Sequence, residues 1–103
     1  MATIDERISY RVNGGAIKAI PGGQAANLLR FLWCNRDRQH QWGDLYEALR
    51  SQEVHRCLHT LRRKWGIPIV CVQVPKARGI GKIGLYSLGP NVEVIDGGNC
   101  HVG

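Results

Sequence analysis

Residues 53–66 read EVHRCLHTLRRKWG, and this stretch decides how the rest of the chain is understood. Wound as an α-helix, at about 100° per residue, it brings Val54, Leu58, Leu61 and Trp65 into one narrow arc. That i, i+4, i+7, i+11 spacing is the mark of a stripe facing a core. The opposite arc carries Gln52, Arg56, His59, Thr60 and Arg63, with His55 and Arg62 on one flank and Lys64 on the other. One face is built to pack, and the far face consists of long basic and hydrogen-bonding side chains. A helix of this design fits a DNA major groove, where Arg reaches guanine edges and phosphates. Most basic helix faces are simply solvated, so the neighbouring sequence has to choose between the two.

The charge distribution favours the groove. The chain has 103 residues, the size of one domain with a modest core. An apolar content of 44% is that of a globular chain. The formal charge is +6, from 14 Lys plus Arg against 8 Asp plus Glu. No acidic residue falls between Glu53 and Glu93, whereas Arg56, Arg62, Arg63, Lys64, Lys76, Arg78 and Lys82 all do. Such a one-sided run is the electrostatic footprint of a polyanion-binding surface. A membrane surface fits less well, because the basic helix turns its apolar side to a core and the sequence has no lipidation motif or long apolar span. The opening residues run straight into charged sequence, without the pattern of a signal peptide. Cys34, Cys57, Cys71 and Cys100 lack CxxC spacing. They are expected to be reduced thiols in a cytoplasmic protein.

Working outward, residues 7–12 (RISYRV) alternate, with Ile8, Tyr10 and Val12 on one side, as a half-buried strand does. Asn13-Gly14-Gly15 is a hairpin turn signal, and residues 16–20 return. Residues 24–35 place Ala25, Leu28, Leu29 and Leu32 at helical spacing. Residues 36–40 are a polar loop, and Gln41-Trp42 is a candidate short strand. Residues 44–50 form a short helix that buries Leu45, Ala48 and Leu49, with Asp44 suiting its N-terminal dipole. Ser51 is placed to cap the helix that follows. Gly66 ends that helix. Residues 69–74 (IVCVQV) and 82–88 (KIGLYSL) are strands joined by the basic, glycine-containing loop 75–81. Residues 92–95 are a candidate further strand, and 91–103 otherwise read as a tail.

The order is hairpin, helix, short strand, helix, helix, strand, loop, strand. That predicts an α+β fold: a winged helix-turn-helix of three helices with a C-terminal β-wing, preceded by an N-terminal β-hairpin, over residues 1–90. The loop 75–81 is then the wing. Lys76, Arg78 and Lys82 would carry it to phosphates or into a minor groove.

Residues 8–88 resemble the DNA-binding effector domains of OmpR/PhoB-type response regulators. The resemblance rests on the paired leucines of Asn27-Leu28-Leu29-Arg30-Phe31-Leu32 and on the short helix opening at Asp44-Leu45. It rests further on Val54, Leu58, Leu61 and Arg62-Arg63-Lys64, and on the Arg78-Gly79-Ile80-Gly81 loop followed by Tyr86. The resemblance implies that the 53–65 helix enters the major groove, that Arg62 and Arg63 serve phosphates or bases, and that the wing meets the adjacent minor groove. It also implies that pairing into dimers on direct repeats is common. The chain contains no receiver domain, its N-terminal sheet is cut to a hairpin, and the link at residues 50–52 is short. The expectation is thus a free-standing relative or a convergent winged helix.

Other chemistry is weaker. His55 and His59 lie four apart, a spacing that can hold a metal. A third ligand would have to come from elsewhere, such as Cys100-His101, and no metal or cofactor is expected. ARGIGKIG lacks the GxxxxGK[ST] pattern and lies between strands, so it is no P-loop. The acids are too scattered for paired-carboxylate catalysis, and an enzyme is not expected. The leading expectation is sequence-specific binding of double-stranded DNA by a small transcriptional regulator of the kind found in phages and mobile elements. Gln52, Arg56, His59 and Thr60 would read bases, and Arg62, Arg63, Lys64, Lys76, Arg78 and Lys82 would hold the backbone. The rival is a protein-binding winged helix, such as a phage inhibitor of a host nucleic-acid enzyme. RNA is a weaker third, for want of an aromatic stacking platform. The hairpin and the tail are both candidates for homodimer contacts.

Overall fold

The computed structural model describes residues 7–50 and 52–97. β1 (Ile8–Val12) ends at Asn13 and Gly14, both at positive φ (54° and 68°). These two residue types tolerate that region, and two in succession make a turn matching the twist of the flanking strands. The chain returns as β2 (Lys18–Ile20), shorter than the 16–20 expectation. β1 is the centre of an antiparallel three-stranded sheet, with β2 on one side. Its third member, β5 (Val92–Asp96), is the strand considered over residues 92–95. Val92 is buried, and Arg11 bridges Glu93, its partner in register, at 2.7 Å. Part of the 91–103 segment is therefore paired into the sheet. Ile8 and Tyr10 are buried, as the alternation requires.

α1 (Gln24–Cys34) buries Ala26, Leu28, Leu29 and Leu32. Ala25, expected inside, is only half-buried. The helix forms the back of the core and packs on α3 (Val54–Arg63), which buries Val54, Cys57, Leu58 and Leu61. Burial of these side chains supplies most of what holds a domain this small together. Trp65 of the predicted stripe is half-buried just past the helix end. Gly66, at φ 65°, turns the chain away, and Ile67 N–H donates back to the Leu61 carbonyl at 2.9 Å.

α2 (Trp42–Leu49) begins two residues before the expected 44. Gln41 N–H donates to the Asp44 carboxylate at 3.0 Å, which draws Trp42 and Gly43 into the first turn. The candidate strand at Gln41-Trp42 is corrected accordingly. The extended pairing falls one residue earlier, at His40, whose backbone exchanges bonds of 2.8 and 2.7 Å with Tyr86. Ala48, expected to be buried, is exposed, because the face buried by α2 is carried by Leu45 and Leu49. Ser51, expected as a cap, lies outside the described residues.

β3 (Ile69–Pro75) and β4 (Lys82–Leu88) form an antiparallel hairpin from Ile69↔Leu88 to Pro75↔Lys82. The described fold is thus α+β, with three helices and two small antiparallel sheets. Cys57 is buried and free, and Cys71 is exposed and free. Cys34 is disulfide-bonded, which corrects the expectation of reduced thiols at that position. None of the helices described is long and apolar enough to cross a membrane.

Candidate nucleic-acid interface

Because α3 buries residues 54, 57, 58 and 61, its outward arc belongs to His55, Arg56, His59, Arg62 and Arg63. These five span about 120° of the helix circumference, and all are exposed. Thr60 lies at the rim of this arc and is half-buried. Its carbonyl accepts from Lys64 N–H at 2.9 Å and Trp65 N–H at 3.2 Å, so its backbone closes the helix end. Lys64 falls outside the arc, with its ammonium 5.3 Å from the Trp65 ring centre. Gln52 is exposed in the turn leading into α3. Arg56 pairs with Glu53 at 3.3 Å, a solvent-exposed i, i+3 contact of small energetic weight.

Arg62 differs from its neighbour Arg63. Its guanidinium donates to the Ile69 carbonyl at 3.0 Å, tying α3 to the first residue of β3. A side chain predicted to serve only a partner also has work inside the fold.

A groove of about 410 Å³ runs between α3 and β4, lined by His55, Arg56, Leu58, His59, Arg62 and Tyr86. His55 stands edge-on to the Trp42 ring, with centroids 4.7 Å apart, and Trp42 lies 6.2 Å from Tyr86. Burial pushes the Tyr86 phenol above its ordinary range. Cys71, opposite it across the hairpin, pushes the same way, and nearby Arg62 pulls against both. Tyr86 therefore stays a neutral hydrogen-bonding group in a groove whose other polar lining is two arginines and two imidazoles. Sequence reasoning missed Tyr86 and His55 as groove residues. The aromatic residue following the glycine loop was the available signal for Tyr86, and the helical position of His55 beside Arg62 was the signal for His55.

The second cationic element is the β3–β4 connection. Lys76 N–H donates to the Gly81 carbonyl at 3.1 Å, closing the loop. Gly79 and Gly81 adopt φ values of 83° and 116°. Lys76, Arg78 and Lys82 are all exposed there. The sequence-predicted residues thus fall into two groups, the outward arc of α3 and this loop, with Thr60 and Lys64 at the margin of the first.

His55 and His59 share the exposed arc, but among the described residues no three His, Cys, Asp or Glu side chains are placed to hold a metal ion. Cys100 and His101 lie outside the described residues. Compared with protein-family models, curated proteins and solved structures, the chain matches none.

Proposed function

We propose that the chain is a winged-helix protein that binds double-stranded DNA sequence-specifically, acting as a small transcriptional regulator. The observation that carries this is the exposed arc of His55, Arg56, His59, Arg62 and Arg63 on a helix whose other side is locked into the core. A helix anchored in this way presents its cations without having to be ordered on binding, which limits the entropic cost of association. α3 lies in the major groove. Arg56, His59 and Gln52 face base edges, and Arg63 and Arg62 face phosphates. The loop bearing Lys76, Arg78 and Lys82 takes the role of the wing on the adjacent backbone or minor groove. Thr60 and Lys64 contribute from the rim.

The test is binding to duplex DNA from the region upstream of its own coding sequence, against a scrambled duplex, across a salt series. Preference for its own DNA with a steep salt dependence is expected. No binding to either duplex at low salt would remove α3 from the groove. A second reading, a protein-binding winged helix, is favoured by Val70 and Val72, which are 37% and 40% exposed on β3. It predicts a stoichiometric complex with a protein partner and no affinity for duplex.

A further inference from the structure

On the DNA-binding function just proposed, we infer that Ile80 is an apolar wedge. The β3–β4 loop inserts it into a base step from the minor groove, kinking the duplex and biasing the protein toward deformable steps.

Ile80 is 98% exposed, whereas the other large apolar side chains exposed among the described residues range from 37% to 58%. A single exposed aliphatic residue is ordinary on a protein surface. This one differs in its setting. It stands at the end of a hairpin whose pairing continues to Pro75↔Lys82 and which Lys76 and Gly81 then close. Gly79 and Gly81 flank it, so no side chain stands immediately beside it in the chain. A Cβ built on Gly79 would meet nothing within 4 Å, whereas one on Gly81 would meet the Lys76 side chain at 3.8 Å, so the tip is open on one flank and borders a cation on the other. The result is a narrow projection with one apolar group at its end and Lys76, Arg78 and Lys82 below it.

That combination matches the requirements of minor-groove insertion. Cations hold the phosphates on either side, while an aliphatic wedge partly unstacks one step and bends the helix away from itself. Pyrimidine–purine steps unstack most readily, so the wedge confers preference at a position that no hydrogen bond reads. A lipid surface also attracts an apolar tip ringed by cations. One isoleucine, however, offers much less apolar area than an acyl chain, which by itself anchors only marginally.

The experiment uses two end-labelled duplexes of equal composition, one with a central TpA step and one with an A-tract there. Energy transfer between the ends and affinity are measured at low salt for the full chain, for Ile80→Ala and for Arg78→Gln. The wild type is expected to shorten the TpA duplex and to prefer it over the A-tract by about tenfold. Ile80→Ala should bind both duplexes about equally and leave both straight. Arg78→Gln should weaken both in parallel while the TpA duplex, once bound, is still bent. A wild-type complex with straight DNA overturns the wedge, as does a bend that survives Ile80→Ala. So does Ile80-dependent binding to phosphatidylserine vesicles without any bending of DNA. Failure to bind either duplex overturns the DNA-binding proposal itself, a result distinguishable from a bound but straight duplex.

Discussion

Arg62→Gln and Arg63→Gln should separate two roles that the sequence assigns jointly to adjacent arginines. Arg62 donates to the Ile69 carbonyl at 3.0 Å, and losing it leaves that partly buried acceptor without its charged donor. A hydrogen bond to a charged group contributes about 1.5–3 kcal/mol when shielded. Arg62 as a whole is exposed, so the expected loss is discounted to about 1 kcal/mol. With an unfolding entropy near 2.1 cal/mol/K per residue over a chain of this length, that corresponds to a fall in Tm of about 5 °C. Arg63 is exposed on the outward arc, and its substitution should leave stability within about 0.5 kcal/mol. If Arg63 neutralises a phosphate, its loss should flatten the logarithmic salt dependence of duplex binding by about 0.9. Thermal unfolding followed by circular dichroism, paired with a salt titration of each variant, reads both quantities. Equal Tm values for the two variants would refute the structural role of Arg62. An unchanged salt slope in Arg63→Gln would remove Arg63 from the DNA backbone.

Three further outcomes follow from the core and its edges. Tyr10 donates its hydroxyl to the Trp65 carbonyl at 2.7 Å, joining β1 to the segment after α3, so Tyr10→Phe should cost about 1 kcal/mol by urea denaturation. Burial raises the Tyr10 phenol above its ordinary 10.0. The neutral form is the one the fold holds, so this contribution is fully present below the unfolded value and is lost as pH rises through the folded one. Tyr10→Phe should consequently lose less stability than wild type in that alkaline window, and parallel losses would contradict the assignment. Gly89→Ala places a Cβ 2.8 Å from Pro68 Cβ and 2.9 Å from the Pro68 carbonyl oxygen. Overpacking of that kind costs about 1–3 kcal/mol, and an unchanged denaturation midpoint would show that the 68–89 contact yields freely. Cys71 is exposed while Cys57 is buried, with its thiol pushed up first by burial and then by Glu53. Thiol reagents should therefore modify Cys71 promptly and Cys57 only as fast as the core opens; similar rates would mean that α3 is loosely held.

Much of the fold is legible in short-range pattern. The alternation of Ile8, Tyr10 and Val12 and the Asn13-Gly14 turn specify a hairpin, because strand period and positive-φ tolerance are local properties. The stripe of Val54, Leu58 and Leu61 specifies the inward face of α3 in the same way. What stayed hidden depends on contacts between distant residues. His40 is 5% exposed, with its Nε2 3.2 Å from the Asn35 carbonyl oxygen and its ring 4.8 Å from Phe31. Nothing in a polar run at residues 36–40 announces that its last member is an anchor. The pairing of β5 with β1 joins residues eighty or more positions apart, so the sequence could offer Val92 and Val94 only as a candidate strand. Within the candidate interface, the exposed arginines of α3 were readable from helical phase. The bond from Arg62 to β3 was not, since it requires knowing where the hairpin packs.

These long-range contacts also hold the two cationic elements together. The Tyr86 backbone is paired with His40, its ring faces Trp42, and Trp42 in turn meets His55 on α3. α2, α3 and β4 therefore share one aromatic seam, and Arg62 adds a second tie from α3 to β3. An arginine face and a cationic loop on independently moving elements would each have to be oriented on a ligand, at an entropic cost for every side chain immobilised. Fastening both to one seam removes the relative motion of their backbones. The remaining freedom lies in the side chains themselves and in the glycine-flanked tip at Ile80. On the proposed function, this division suits the two tasks. Spacing along the duplex is set by the rigid body, and adjustment to a deformed base step is left to a loop tip whose flanking glycines, Gly79 and Gly81, permit it.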